Sequence, residues 1–301
     1  MIVLILAAAL AGADLPSLAI PEPFAPTAAS GLDVDAATFS PDGGTVFFDQ
    51  LDGPNSTIVF ARRTARGWST PAKVTFSGVW SDRDPAMAPD GSFLIFVSNR
   101  PALPDGKALD LVRADGSVKP GQGAQLWRVD RDGGTWGQPM RLNDGVNDSA
   151  RIYSPSVVAD GSVYFQRPDP VSHTFHIVRS QLRDNHYQPP TAIMIGPTAS
   201  DERDPSVAPD ESFMVYSANY GPKGQPNRLY VVFRDQGNWG APIDLGDGVN
   251  HDGAEGPHLG ADARSVYFDS TAPTPNSAAG TSQIWRLDLS PWLVAHSHGR
   301  P

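Results

Sequence analysis

The chain of 301 residues has no cysteine, which excludes disulfide bonds, thiolate metal sites and a cysteine nucleophile. Charged residues make up only 19% of it, and the 33 acids outnumber the 23 Lys and Arg residues. The net charge of −10 would repel phosphate groups, and no run of Lys or Arg offsets it, so nucleic acid is not an expected partner. The chain also lacks a G-x-S-x-G motif, which removes the serine nucleophile of an α/β-hydrolase.

Long apolar runs are nearly absent. The exception is MIVLILAAALAGA at residues 1–13, which ends in small residues and predicts a signal peptide cleaved before Asp14. A helix needs roughly 20 apolar residues to cross a bilayer, so no integral membrane segment is expected in the mature chain. The prediction is export to the periplasm or the extracellular space, with a buried N-terminal strand as the alternative.

Glycine and proline are abundant, with 29 of each, as expected for short strands joined by tight turns. A strand-turn-strand motif recurs about every 50 residues. In three copies the turn Asp is followed by Gly, which accepts a positive φ without steric cost. Gly is missing after Asp210 and Asp262, so another turn geometry is predicted for these two copies. The five turn residues are Asp42, Asp90, Asp160, Asp210 and Asp262.

Two further markers follow the hairpins. One is another apolar strand, and the other is an aromatic residue with Pro three positions later. Pro cannot donate to a strand ladder, so it is typical of an edge strand. Four strands per repeat predict the blade of a β-propeller, and the recurrence of the aromatic residue indicates blade packing rather than a carbohydrate platform. The aromatic residues of this marker are Trp68, Trp136, Tyr187 and Trp239.

The expected fold is therefore all-β, a propeller of four-stranded antiparallel blades with five visible repeats and six blades as the alternative. Residues 31–293 form the single propeller domain, preceded by the segment 14–30 and followed by a polar tail at 294–301. The fifth repeat lacks the aromatic-x-x-Pro marker, so its outer strand must come from elsewhere. The apolar residues 18–21 are the candidate closing strand. An insertion at residues 101–123 in the second repeat predicts a long surface loop.

The SPDG and APDG hairpins, each followed by an aromatic strand, and the W-x-x-P strand together resemble the TolB-like propeller repeats that are related to WD repeats. The resemblance covers residues 31 to 290. Members of this superfamily include TolB of the cell-envelope Tol system and the propeller domains of prolyl oligopeptidase-type hydrolases. Because the matching residues are turn and core positions, the resemblance implies a scaffold and leaves the activity open.

Five polar segments precede the innermost strands and are expected to converge at one mouth of the central axis. Carboxylates held together attract positive charge and coordinate hard metals, which predicts a site for a cation, a sugar or a basic peptide. The alternative is a solvated ring of loop residues that bond to nearby backbone. The candidate residues are Asp33, Asp35, Asp82, Arg83, Asp84, Asp148, Arg151, Asp201, Arg203, Asp204, Asp252, Glu255 and His258.

No cofactor motif is evident, although these carboxylates would accommodate a divalent cation. The favoured function is non-catalytic recognition of an envelope protein, a peptide or a glycan at the central face. The alternative is a hydrolase or lyase that acts on a saccharide or a peptide through acidic residues at the same face. A strongly perturbed titrating group in a pocket would favour that alternative.

Overall fold

The structure of the protein is a computed structural model that describes residues 20–28, 31–103, 105–113, 115–196, 201–221, 224–275, 277–278 and 280–298. The predicted signal peptide lies outside these residues. Within them, nearly all regular structure is β, and five small antiparallel sheets form the blades of a propeller. No helix in this part of the chain has the length and apolar character needed to cross a membrane.

Each blade runs from an inner strand outward, and the outer positions are filled by very short strands. Blade 1 consists of Val34–Phe39, Thr45–Asp52, Asn55–Thr64, Gly67–Trp68 and Ala72–Lys73. Blade 2 consists of Asp82–Met87, Phe93–Ser98, Gln125–Asp132, Thr135–Trp136 and Met140–Arg141. Blade 3 consists of Tyr153–Val157, Val163–Pro168, Phe175–Ser180 and Thr191–Ala192.

The remaining elements complete the ring and decorate it. Blade 4 consists of Asp201–Val207, Phe213–Asn219, Arg228–Asp235, Asn238–Trp239 and Ile243–Asp244. Blade 5 consists of Glu255–Leu259, Ser265–Ser270, Gln283–Asp288 and Glu22–Pro23. Two separate hairpins pair Leu111–Val112 with Val118–Lys119 and Leu182–Arg183 with His186–Tyr187. The two helices are Ala25–Ala28 and Ser290–His298.

The five inner strands surround the central axis. Each contacts the inner strand of the next blade, and that of blade 5 contacts that of blade 1, so the ring closes with five blades. The core lies between the blades, where the second and third strands bury nearly every apolar side chain. The predicted all-β propeller is confirmed, and five blades rather than six form it.

The N-terminal segment closes blade 5, as the missing outer strand of the fifth repeat predicts. The pairing strand is Glu22–Pro23, against Arg286 and Trp285, and therefore lies just after the apolar residues expected to provide it. Residues 18 and 19 are outside the described residues, and Ile20 is 83% exposed. The apolar anchor is instead Phe24, which is buried and donates its backbone N–H to the Ile284 carbonyl at 2.8 Å.

Replacing Phe24 by alanine should loosen this closure, because the ring of Phe24 packs edge-on against Trp68 and Tyr267. We expect Phe24→Ala to lower the free energy of unfolding by about 3 kcal/mol, as for other buried aromatic truncations. Urea unfolding followed by tryptophan fluorescence measures the change. The matched control is Ile20→Ala, which should stay within about 0.5 kcal/mol of the parent; equal losses for both variants would contradict this account of the closure.

All five hairpins between the first and second strands use the same turn. In each, the turn Asp accepts the backbone N–H two residues later, at 2.8 to 3.0 Å. The residue between them is left-handed in every case, with φ from 48° at Ala263 to 79° at Gly161. The different geometry predicted after Asp210 and Asp262 is therefore wrong. The Asp cap holds Glu211 and Ala263 in the conformation that Gly adopts in the other three turns.

Ala263→Gly should stabilise the protein, because an L residue at φ 48° carries steric strain that Gly lacks. Relief of the strain is worth roughly 1–2 kcal/mol, but Gly also gives the unfolded chain more conformational freedom, which offsets part of it. We therefore expect the free energy of unfolding to rise by about 0.5–1 kcal/mol. The control is Ala261→Gly, two residues earlier and outside the left-handed region, which should instead lose stability. Unfolding free energies of the two variants test the sign, and a loss in both would refute the strain.

The outer-strand tryptophans pack between blades, as their recurrence indicates. Trp136 of blade 2 meets Phe47 of blade 1 with ring centroids 5.7 Å apart. Trp239 of blade 4 meets Tyr164 of blade 3 at 6.4 Å. Trp68 meets Phe24 at 5.7 Å, which joins blade 1 to the closing segment. These rings stabilise the order of the blades and are not exposed platforms.

Candidate functional site

A β-bulge interrupts every inner strand at the same point. The pairing with the second strand shifts register between Asp35 and Thr38 in blade 1 and at the matching positions of the other four blades. The bulge residue is left-handed in each case, with φ between 51° and 58°. This conformation turns its N–H out of its own sheet. The bulge residues are Ala36, Asp84, Ser154, Asp204 and Gly256.

Each bulge N–H donates to a side-chain oxygen of the preceding blade, and we call these five hydrogen bonds the interblade ties. The N–H of Asp84 donates to Asp49 at 2.8 Å, and that of Ser154 donates to Asp84 at 2.9 Å. The other three ties run from the N–H of Ala36 to Asp269 at 3.2 Å, from that of Asp204 to Gln166 at 3.1 Å, and from that of Gly256 to Asp204.

Three of the tie acceptors were not among the residues predicted from the sequence. Asp49, Gln166 and Asp269 come from second strands, where they pair with the residue that precedes the bulge. Burial raises the pKa of both Asp49 and Asp269 well above the usual range. The sequence does contain a signal for these three acceptors. Each of them follows two aromatic residues of a buried strand, and a carboxyl or amide group at such a position needs a specific hydrogen-bond partner.

The residue just before each bulge faces the entrance of the axis, and we call these five residues the entrance ring. Charge interactions link its neighbours: Arg83 acts on Asp35 and on Tyr153, and Arg203 acts on Glu255. Burial raises the pKa of Tyr153 and of Glu255. The entrance is therefore of mixed charge, with arginines on blades 2 and 4 and acids on blades 5 and 1. Its members are Asp35, Arg83, Tyr153, Arg203 and Glu255.

Asp35 is the most perturbed titratable group of the entrance ring. Burial, reinforced by the negative charge of Asp84, raises the pKa of Asp35 to about 7. Its carboxyl lies within hydrogen-bond reach of Asp49, and one oxygen of each is buried without a donor among the described residues. Two adjoining carboxyls cannot both ionise cheaply, so the Asp35–Asp49 pair holds one proton near neutral pH.

Asp35→Asn should remove a pH dependence of stability. Because the pKa of Asp35 is higher in the folded chain than in the unfolded chain, its stabilising protonation is complete below about pH 4 and is lost as the pH rises through about 7. Between pH 5 and pH 8 we expect the free energy of unfolding to fall by about 1–3 kcal/mol more in the parent than in Asp35→Asn. Urea unfolding at the two pH values measures the difference, and parallel losses would show that Asp35 does not carry the proton.

Two predicted acids beside the axis serve mainly structural roles. Asp82 is completely buried, pairs with Arg100 at 3.0 Å and accepts a hydrogen bond from Ser98 at 2.7 Å. Burial raises the pKa of Asp82 in spite of Arg100. Asp204 accepts the Ser154 hydroxyl at 2.8 Å in addition to its interblade tie, and burial raises its pKa too. These side chains hold the blades together.

Four predicted acids are not members of the entrance ring and are engaged by other groups. Asp33 accepts the N–H of Ser282 at 2.8 Å, and the exposed Asp252 pairs with His251 at 2.9 Å. Asp201 pairs with Arg203 at 2.6 Å and Asp148 pairs with Arg167 at 2.5 Å. The sequence prediction placed all of these acids in one ring, but the inner strands begin at different depths, so only part of the set converges.

His258 belongs to the opposite side of the bulges. It lies two residues past the bulge of blade 5, at the level where Thr38, Ser156 and Ser206 accept backbone N–H groups from the following blades. These residues line a cavity of about 130 Å³ at the other end of the axis. Burial lowers the pKa of His258 to about 4, so the imidazole is neutral at physiological pH.

The predicted divalent cation finds no ready-made cage in the described part of the chain, where no three His, Asp or Glu side chains are grouped to hold a metal. Most of the acids that the sequence suggested as ligands are engaged by backbone N–H groups, hydroxyls or arginines. The entrance ring instead offers guanidinium, phenol and carboxyl groups side by side, a set suited to a polar ligand with both donors and acceptors.

No model of a known protein family matches this chain, and no curated protein sequence matches it. Solved structures do match. A thermostable family-43 glycoside hydrolase has a TM-score of 0.53 and 12% identity, over 85% of this chain and 88% of that chain. The endo-arabinase from Bacteroides thetaiotaomicron has a TM-score of 0.51 and 11% identity, over 89% of this chain and 97% of that chain.

TolB from Acinetobacter baumannii also matches, with a TM-score of 0.47 and 13% identity over 85% of this chain. The match covers 54% of that protein, so this chain spans about half the length of TolB. At such identities the likeness shows the fold alone. In fold, the chain is a five-bladed β-propeller, as its repeats predicted.

Proposed function

We propose that this chain is a non-catalytic binding propeller that takes part of an envelope protein, a peptide or a glycan at the entrance ring. The observation that carries the proposal is that charged groups of the entrance ring, Arg83 and Glu255, form no close ion pair among the described residues. Among the described residues, Arg83 bonds only to the Ser81 hydroxyl, and Glu255 interacts with Arg203 without forming a close ion pair. A polar ligand would therefore meet donors and acceptors that are already in place.

We also propose that the protein works in the periplasm or outside the cell. The support is the apolar N-terminal run that ends in small residues at 11–13. An exported chain would meet envelope proteins and glycans at once. The acidic net charge of −10 agrees with partners other than nucleic acid.

A hydrolase or lyase is the second candidate, and Asp35 is the observation that favours it. A carboxyl with a pKa of about 7 is suited to proton transfer at neutral pH, because both of its protonation states are populated. Among the described residues Asp35 accepts none of the interblade ties, which engage Asp49, Asp84, Asp204 and Asp269. In this candidate, Asp35 would exchange a proton with a saccharide or peptide held by Arg83 and Tyr153.

The two candidates are separated by a pair of charge-matched double variants. Arg83→Gln with Glu255→Gln removes one charge of each sign from the entrance ring. Arg66→Gln with Asp132→Asn removes the same charges from exposed turns at the opposite end of the blades. Each protein is immobilised and incubated with native envelope extract, and the retained proteins and glycans are quantified by mass spectrometry.

We expect the entrance-ring variant to retain at least about tenfold less of a specific component than the parent, because charge-assisted hydrogen bonds are lost, and the control to match the parent. Equal retention by all three proteins would overturn the proposal. If the parent changes the mass of an extract component and Asp35→Asn does not, the chain is an enzyme and the second candidate replaces the first.

A further inference from the structure

Beside the entrance ring lies a cleft of about 260 Å³, which we call the arginine cleft. One wall is the hairpin Leu111–Val112 and Val118–Lys119, inside the insertion that the sequence marked as a surface loop. The other wall is blade 3, including residues 167–170 and His173. The insertion thus builds a concave surface and does more than extend a loop.

Three arginines line the cleft, and two of them form no close ion pair among the described residues, although the charge of Asp115 interacts with that of Arg113. Arg167 is paired with Asp148 at 2.5 Å. Within the described residues, neither Arg113 nor Arg151 has a carboxylate within ion-pair distance. The second acid of the cleft, Asp169, is turned into its own loop, where it accepts the N–H groups of residues 171 and 172. The three arginines exceed the two acids of the lining by one positive charge, in a chain whose net charge is −10.

Arg151 is held in place by an aromatic ring. Its guanidinium lies 4.9 Å from the centre of Phe175, a buried residue, and Arg203 of the entrance ring lies 4.7 Å from the same centre. Stacking of this kind fixes a guanidinium without neutralising it. The Phe175 ring therefore joins the arginine cleft to the entrance ring.

Exposed aliphatic side chains surround the cleft. Val112 lines it and is 55% exposed, while Val171 on the opposite loop is 86% exposed. With Leu103 and Val118, these are four of the nine large apolar side chains exposed on the described surface, and all four lie in the two segments that border the cleft. The inserted hairpin also pairs with no further strand among the described residues, so its backbone edge is open to a partner strand.

We propose that the arginine cleft docks an acidic, extended segment of a partner protein. Carboxylates of that segment pair with Arg113 and Arg151, an alternating apolar side chain covers Val112, and the backbone adds to the edge of the inserted hairpin. No Phe, Tyr or Trp ring lines the cleft among the described residues, so it lacks the large aromatic faces on which sugar rings stack. The inference deepens the proposed function, since it names the partner class and the side from which the chain reaches the entrance ring.

The test uses a fluorescein-labelled Glu-Val-Glu-Val-Glu-Val peptide, its Gln-Val counterpart and a glucuronate oligosaccharide as competitor, with the full mature chain and fluorescence anisotropy at low salt. Arg113→Gln is the principal variant, because Arg113 is exposed and its loss should leave the fold intact. The control is Arg183→Gln, an exposed arginine of the separate hairpin Leu182–Arg183 and His186–Tyr187. Arg151→Gln is measured as a second cleft variant.

We expect the Glu-Val peptide to bind at least about tenfold more tightly than the Gln-Val peptide, and Arg113→Gln to lose about fivefold or more while Arg183→Gln matches the parent. No preference for the acidic peptide, or no loss in Arg113→Gln, would overturn the inference. Displacement by the oligosaccharide at lower concentration than by unlabelled peptide would overturn the protein assignment.

The same measurement separates this inference from the proposed function. The Arg83→Gln and Glu255→Gln double variant should still bind the Glu-Val peptide, because the arginine cleft is unchanged. If that variant binds the peptide but retains envelope components as well as the parent does, the entrance ring is not the site and the cleft stands alone. If peptide binding is absent while the entrance-ring variant loses its extract component, only the cleft is excluded.

Discussion

The hydrogen bond between a bulge N–H and an oxygen of the preceding blade is the constraint on which the rest of this molecule depends. An innermost propeller strand is a sheet edge, and its outward-facing N–H groups must find acceptors. The bulge directs one such group from each blade toward its neighbour. Five ties of the same kind therefore close the ring and set the positions of all the side chains around the axis.

The ties also decide which acids remain available for a ligand. Where the second strand supplies Asp49, Gln166 or Asp269, the bulge residue itself is free to be small, as at Ala36 and Gly256. In blades 2 and 4 the second strand has Val97 or Ser217 opposite the residue that precedes the bulge. There the bulge residue is an aspartate, and its carboxylate accepts the tie from the next blade. An apparently acidic axis is thus largely a set of structural acceptors.

What remains at the entrance is a mixed surface. Arg83 and Arg203 lie beside the acids Asp35 and Glu255 of neighbouring blades, and Phe175 connects this ring to Arg151 of the cleft. Two neighbouring surfaces on one end of the blades suit a ligand that is long and polar, such as a chain segment, better than a small compact molecule. Because burial raises the pKa of Asp35 to about 7, we expect the charge at the axial end of that surface to depend on pH.

The propeller, its closure by an N-terminal strand and the packing role of Trp136 and Trp239 all followed from local patterns, because turns, alternation and repeat spacing are properties of short stretches of chain. The turns at Glu211 and Ala263 did not, since an Asp cap overrode the preference of the next residue. The sequence by itself determined the scaffold and the end of the axis where charge collects. Only the tertiary structure decided that Asp82 and His258 lie apart from the entrance ring, that Asp49 and Asp269 hold the blades together, and that Arg113 and Arg151 line one cleft. Each of these depends on contacts between residues far apart in the chain, whose spacing no local pattern records.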